Sequence, residues 1–185
     1  VLKSVYKNFI KLQADEKKGK THIPVIYVDT PVDDKIPFTP EKVSTYLDFV
    51  PYFISPLSML IKRFGLKKAR PMCAEYLDFI AELYENASSI YRFCMTTTHR
   101  PNYTANKKFA FIYRNDPHYL CVPSLHICIV AGCYSYFREL FEKEDFTPNE
   151  KKQWNEELFN GAVSIADSVL YVKQHSVLHS FSIIY

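Results

Sequence analysis

Leu2, Val5, Tyr6, Phe9 and Leu12 recur at helical spacing and predict a first helix that gives way to the polar run from Asp15 to Lys20. His22 to Val28 reads as a short extended stretch. Thr30 to Pro40, punctuated by Pro31, Pro37 and Pro40, reads as a loop. Thr39-Pro40 has the form of an N-cap with a first-turn proline and opens a helix to about Phe64, with Gly65 where a C-terminal cap belongs. Cys73, Tyr76, Leu77, Ile80, Leu83, Tyr84, Ile90, Tyr91 and Cys94 form one stripe of a long helix from Pro71 to about Thr97. His99 to His118, broken by Pro101 and Pro117, predicts a long loop, and a helix follows from Ser124 to about Glu142. Thr147-Pro148-Asn149-Glu150 is a capping box that starts a last helix through Trp154, Leu158, Ile165 and Val172 towards the end of the sequence. No repeat or low-complexity tract interrupts the pattern. The expectation is an all-α fold: residues 1–185 as a single-domain bundle of five or six helices, with a long loop before the Pro123-Ser124-Leu125-His126 helix.

Composition narrows the function. Hydrophobic residues at 48% and charged residues at 23% exclude disorder, and a net charge of +3 gives no argument for a nucleic-acid partner. The apolar runs 49–61 and 119–137 are interrupted by prolines, so no transmembrane helix is expected and the domain reads as soluble or membrane-peripheral. The 5 cysteines include no CxxC pair and read as free thiols, neither disulfide framework nor zinc site. Glycine is the sharpest number: 4 in 185 residues, where about 7% is usual. No two of the four fit a dinucleotide fingerprint. Gly19-Lys20-Thr21 imitates the end of a phosphate-binding loop, but Ala14 stands where that motif needs glycine. Any phosphate chemistry here must use another cradle.

Two features suggest one. Pro123-Ser124-Leu125-His126 opens a helix directly after the long loop; serine caps a helix start well, and the first N–H groups of a helix bind anions without glycine. His175 and His179 are four apart on the expected last helix, so both rings would leave one face. The pair could chelate a metal, but Ser176 replaces the glutamate a zincin places beside its first histidine, and no metal is expected.

Together these residues resemble the type 2 phosphatidic acid phosphatase superfamily, which includes the vanadium haloperoxidases. Its motifs are Lys-x6-Arg-Pro, Pro-Ser-x-His and Ser-Arg-x5-His-x3-Asp. The second is complete at Pro123, Ser124, Leu125 and His126, and leucine in its third place is similar to the branch related to inositol phosphorylceramide synthases. The third matches at Ser168 and His175, with Val169 in place of the arginine and His179 in place of the aspartate. The first matches at Arg100-Pro101, with Arg92 one residue from the lysine's place; Arg63 and Arg70-Pro71 are the other candidate. The resemblance covers about residues 92–179.

The resemblance implies an acid phosphatase-like or phosphatidic acid phosphatase-like hydrolase or phosphotransferase acting on phosphate monoesters, lipid phosphates among them, with membrane-surface contact as its corollary. His175 would attack phosphorus to give a phosphohistidine. His126 would protonate the leaving oxygen and then activate water. Arg100, Arg92, the Ser124 hydroxyl and the N–H groups around Leu125 would hold the phosphoryl oxygens. His179 would orient His175 in place of the family aspartate. No cofactor is implied, although vanadate or phosphate could occupy the site, and vanadate with a halide would be the haloperoxidase variant. Two alternatives stay open: a degenerate phosphate- or lipid-headgroup-binding domain of the same fold, and an unrelated helical interaction protein in which Ser124 is only a cap.

Overall fold

In a computed structural model of the protein, which describes residues 1–103 and 105–178, the predicted apolar stripes become packed helices. Helix α1 joins Leu2–Val5, a π-helical stretch Tyr6–Lys11 and Leu12–Lys17. It docks through a small polar network: Ser4 Oγ donates to the Ala81 carbonyl (3.3 Å), Asn8 Nδ2 to Ser4 Oγ (3.0 Å), and Ser88 Oγ to Asn8 Oδ1 (3.1 Å). After it come strand β1 (Val25–Tyr27), 3-10 turns at Asp33–Lys35 and Pro40–Lys42, and the short helix α2 (Val43–Leu47). Pro40 enters at the first turn as expected, but the Thr39 hydroxyl leans back to the Pro37 carbonyl and caps nothing.

The helical stretch Phe49–Phe93 is broken at Gly65, whose φ of 74° and ψ of 157° are not helical. That divides it into α3 (49–64) and α4 (66–93), and a positive φ is what glycine tolerates at a helix end. Two tyrosines tie α3 to its neighbours. Tyr76 Oη in α4 donates to the Phe53 carbonyl (2.8 Å), and Tyr52 Oη donates to the Leu158 carbonyl (2.9 Å).

Helix α4 does not run to Thr97. It ends at Phe93, and Met95–Thr97 forms strand β2, parallel to β1 with Val25, Ile26 and Tyr27 opposite Met95, Thr96 and Thr97. Consecutive threonines stiffen the chain towards extended backbone, a local preference that the apolar stripe masks. The expected loop between His99 and His118 contains helix α5 (Lys107–Asn115), whose start is capped by the Asn106 side chain accepting from Lys108 N–H. Helices α6 (Leu125–Lys143) and α7 (Pro148–Tyr171) begin where expected, α6 with Ser124 as its cap and α7 with a complete capping box at Thr147 and Glu150.

Helix α6 is the centre of the bundle and packs against both α4 and α7. A Cβ at Gly132 would stand 2.8 Å from Leu83 Cδ1, so the absence of a side chain there permits the α6–α4 approach. The main core is ring-rich, with Tyr76, Phe137, Phe141 and Phe146 packed at tilted or edge-on angles. A second cluster, Val43, Tyr46, Phe109, Ile112, Ile127, Val169 and Val172, lies under α2, α5 and the end of α7. The fold is all-α apart from the two short strands. Among the described residues no helix is long and apolar enough to cross a membrane, and all five cysteines are free.

Candidate active site

The last helix ends earlier than its apolar pattern predicts, and that decides where His175 goes. Gln174 N–H donates to the Val169 carbonyl and Lys173 N–H to the Leu170 carbonyl, both at 3.0 Å, which is the paired bonding of a Schellman stop. Lys173 takes the left-handed conformation (φ 55°) usually filled by glycine. His175 is therefore not on a helix; the expected partner on its helix face, His179, lies outside the described residues. Instead the turn carries His175 inward, where it is buried.

The segment before α6 forms the other wall. Strand β2 grips it from one side: Thr96 N–H donates to the Tyr119 carbonyl (3.0 Å), Cys121 N–H to the Thr96 carbonyl (3.1 Å), and Val122 N–H to Thr96 Oγ1 (2.7 Å). From α1, the Gln13 amide oxygen accepts from Tyr119 N–H (3.0 Å). This pinned strip presents the Cys121 carbonyl, which accepts from His175 Nδ1 at 2.9 Å. A carbonyl can only accept, so Nδ1 carries the proton and Nε2 the lone pair.

His126, on the first turn of α6, meets His175 edge to face with ring centroids 5.4 Å apart. Its own ring stacks on Tyr46 (4.4 Å) and lies tilted against Phe49 (4.5 Å). The two motif histidines, 49 positions apart, thus come together. Between them is a small cavity of about 20 Å³ lined by Phe9, Asp116, His118, Cys121, Leu125, His126 and His175, room for about one water. Beside it opens a larger, mainly apolar cavity of about 330 Å³ that shares Phe9, Asp116, Leu125 and His126.

Electrostatics keep the site neutral at its centre. Burial above all, aided by the Arg100 charge, holds His175 down to about 4, against an ordinary 6.5, although the Cys121 carbonyl and Asp116 pull the other way. His118, which sequence reasoning treats only as the end of a loop, is also buried. Burial, Arg100 and His175 hold it down to about 2. Its Nε2 is 2.7 Å from Thr98 Oγ1, its N–H donates to Asp116 Oδ1 (2.9 Å), and its backbone is left-handed (φ 68°). Burial pushes the Cys121 thiol up to about 12, which leaves it protonated and unreactive.

The remaining motif residues are placed differently from the expectation. The Arg100 guanidinium reaches Asp116, donating from Nη1 to its carbonyl (3.0 Å) and from Nη2 to Oδ2 (3.3 Å), and faces a third cavity with Asp29, Asp33 and Lys173. It acts on the histidines through space and through Asp116, without lining their cavity. Arg92 is exposed on α4 and reaches Asn8 Oδ1 (3.4 Å), so it takes no part in the site. Arg63, of the alternative first motif, pairs with Glu150 at 2.7 Å. Ser124 and Leu125 are buried; the serine oxygen faces Ile127 N–H at 3.5 Å. Val169, where the resembled family has arginine, is fully buried in the second apolar cluster, a position with no place for a guanidinium.

Sequence reasoning missed Asp116, His118, Tyr46, Phe49 and the Cys121 carbonyl. The dipeptide Asp116-Pro117 before His118 is a turn signal, and an aspartate that bonds the backbone two residues on is its usual device. The aromatic pair carried no signal beyond core hydrophobicity, and a backbone acceptor carries none at all. Among the described residues no cluster of three or more histidine, cysteine or acidic side chains could hold a metal ion. Compared with protein-family models, with curated proteins and with solved structures, the chain gives no match, so what this site does is argued from its own geometry.

Proposed function

We propose that the protein is a phosphatase or phosphotransferase acting on phosphate monoesters through a phosphohistidine at His175. The observation that carries this reading is the 5.4 Å meeting of His126 and His175, two histidines from separate segments, at a cavity beside the start of α6. Nucleophilic attack needs a neutral imidazole with its lone pair on the nitrogen away from its hydrogen-bond partner. The Cys121 carbonyl fixes that tautomer, and burial keeps the ring neutral.

In the first step His175 Nε2 bonds to phosphorus, the ester P–O bond breaks, and His126 gives a proton to the leaving oxygen. In the second, His126 takes a proton from water, the water oxygen bonds to phosphorus, and the P–N bond breaks to release phosphate. If an alcohol replaces water, the same step is a transfer. The N–H groups at the start of α6 and the Arg100 charge supply electrostatic stabilisation.

The apolar cavity beside His126 favours an ester with an apolar leaving group, a lipid phosphate over a sugar phosphate. Its lining residues Ile10, Val50 and Phe111 are exposed, which suits a substrate drawn from a membrane surface. The test is hydrolysis of p-nitrophenyl phosphate and of a short-chain lipid phosphate by wild type, His175→Ala and His126→Ala. The reading requires that both variants lose turnover and that the lipid ester is preferred.

One observation favours a second reading. Arg100 is engaged by Asp116, and His175 Nδ1 is held by an uncharged carbonyl where the resembled family has a carboxylate. A site so arranged can bind a phosphate group without turning it over. Protection of the wild type by vanadate or phosphate against thermal unfolding, with no hydrolysis of either ester, selects this binding module.

A further inference from the structure

We infer that Asp33 is a positioning residue for His175: its carboxylate and its backbone carbonyl bracket the turn that brings the imidazole into the site. The carboxylate accepts from Ser176 Oγ at Oδ2 (2.7 Å) and from Val177 N–H at Oδ1 (2.8 Å), the two residues that follow His175. The Asp33 carbonyl accepts from Lys173 Nζ, two residues before it. Thr39 N–H adds a bond to the Tyr171 carbonyl (2.9 Å). Asp33 is itself fixed from behind, its Oδ2 accepting from Thr30 N–H (2.8 Å) and Thr30 Oγ1 (2.9 Å).

Why a carboxylate should stand here is the informative point. Asp33 is only 9% exposed. Burying an acid is costly unless donors surround it. A short apolar contact would hold the turn as cheaply, yet it would not orient it, because only hydrogen bonds are directional. Past Tyr171 the chain has no helix to set its angle, and the His175–Cys121 bond depends on that angle. The loop 30–39, remote in sequence from every motif residue, therefore belongs to the site. Asp33 does not line the histidine cavity, so it acts through His175 and touches no substrate.

The kinetic part of this inference rests on the phosphohistidine reading; the structural part does not. The experiment uses the full chain labelled with ¹⁵N at its imidazoles, as wild type, Asp33→Ala, Asp33→Asn and Ser176→Ala. Wild type is expected to show His175 as a single tautomer protonated at Nδ1. Asp33→Ala is expected to convert that signal to a mixture containing the Nε2–H form. Asp33→Asn, which keeps one acceptor oxygen, is expected to fall between. Turnover should follow the same order, with kcat reduced by roughly 10- to 100-fold and KM nearly unchanged, because misplacing a nucleophile acts on the chemical step. An unchanged His175 tautomer in folded Asp33→Ala overturns the inference. Should Asp33→Ala fail to fold, an unchanged tautomer in both Asp33→Asn and Ser176→Ala overturns it equally. A tautomer that responds in a protein that turns over no ester keeps the positioning role and removes the phosphatase reading.

Discussion

The Nδ1–H of His175 donates to the backbone carbonyl of Cys121 across 2.9 Å. A peptide carbonyl does not titrate, so it fixes the tautomer of the ring at every pH where the ring is neutral and the fold survives. Unlike a carboxylate, it adds no negative charge to favour the imidazolium. Burial, aided by the Arg100 charge, outweighs the pull of the carbonyl and of Asp116 and holds the proton affinity of His175 low.

Stability should therefore depend on pH through the buried histidines. Burial, the largest cause in each case, holds His175 at about 4 and His118 at about 2, whereas the unfolded rings titrate near 6.5. Below 6.5 the unfolded chain gains protons that the native state refuses. The stabilisation is complete above pH 6.5 and is lost as pH falls from there, towards 4 for His175 and towards 2 for His118, by up to about 1.4 kcal/mol per pH unit for each histidine. Urea unfolding at pH 7, 5.5 and 4.5 measures the slope, and His118→Gln should roughly halve it.

The titration of His175 should move in opposite directions in two variants. Arg100 lowers its proton affinity and Asp116 raises it. NMR titration should find His175 shifted up in Arg100→Gln and down in Asp116→Asn. Shifts of the same sign would mean that the two residues act only through the local structure.

Lys173 offers a test of the helix stop. Its left-handed backbone (φ 55°) costs an L-residue about 1 kcal/mol. Lys173→Gly and Lys173→Ala both lose the Nζ bond to the Asp33 carbonyl, but only glycine relieves the backbone. Chemical denaturation should find the glycine variant more stable than the alanine variant by about 1 kcal/mol, or somewhat less given glycine's extra unfolded-state entropy.

The α6–α4 contact makes a prediction about packing. A Cβ at Gly132 meets Leu83 Cδ1 at 2.8 Å and Phe79 at 3.3 Å. Gly132→Ala, otherwise favourable in a helix, should cost about 1–3 kcal/mol by overpacking. Combining it with Leu83→Ala should recover part of the loss.

Much of this fold could be read from the sequence where a local device announced it. Ser124 and the Thr147–Glu150 box mark the starts of α6 and α7, and Gly65 marks the break between α3 and α4. What stayed hidden was unannounced. Lys173 stops a helix in a conformation that glycine normally advertises, so the periodic pattern runs on through His175 without a visible stop. Met95–Thr97 joined the preceding stripe because its pairing with Val25–Tyr27 is a long-range contact. The histidine pair was visible as motif residues. The groups that set their chemistry, the Cys121 carbonyl and the Asp33 bracket, were not, since a backbone acceptor has no sequence signature and Asp33 sits in a loop far from them. The scarcity of glycine takes on a second meaning here. Among the described residues, the non-glycine residues with positive φ are His118 and Lys173, and both shape the site.

The central claim is that His175 is a nucleophile. The most direct measurement is a rapid quench of wild type with a phosphate ester labelled at phosphorus, held alkaline and followed by peptide mapping, because a phosphoramidate survives base and is lost in acid. The account predicts label on the peptide containing His175, absent from His175→Ala; with p-nitrophenyl phosphate, whose leaving group departs without a proton, it predicts that the label accumulates in His126→Ala, where hydrolysis is slowed. Hydrolysis at equal rates by wild type and His175→Ala, with no label on that peptide, would contradict it.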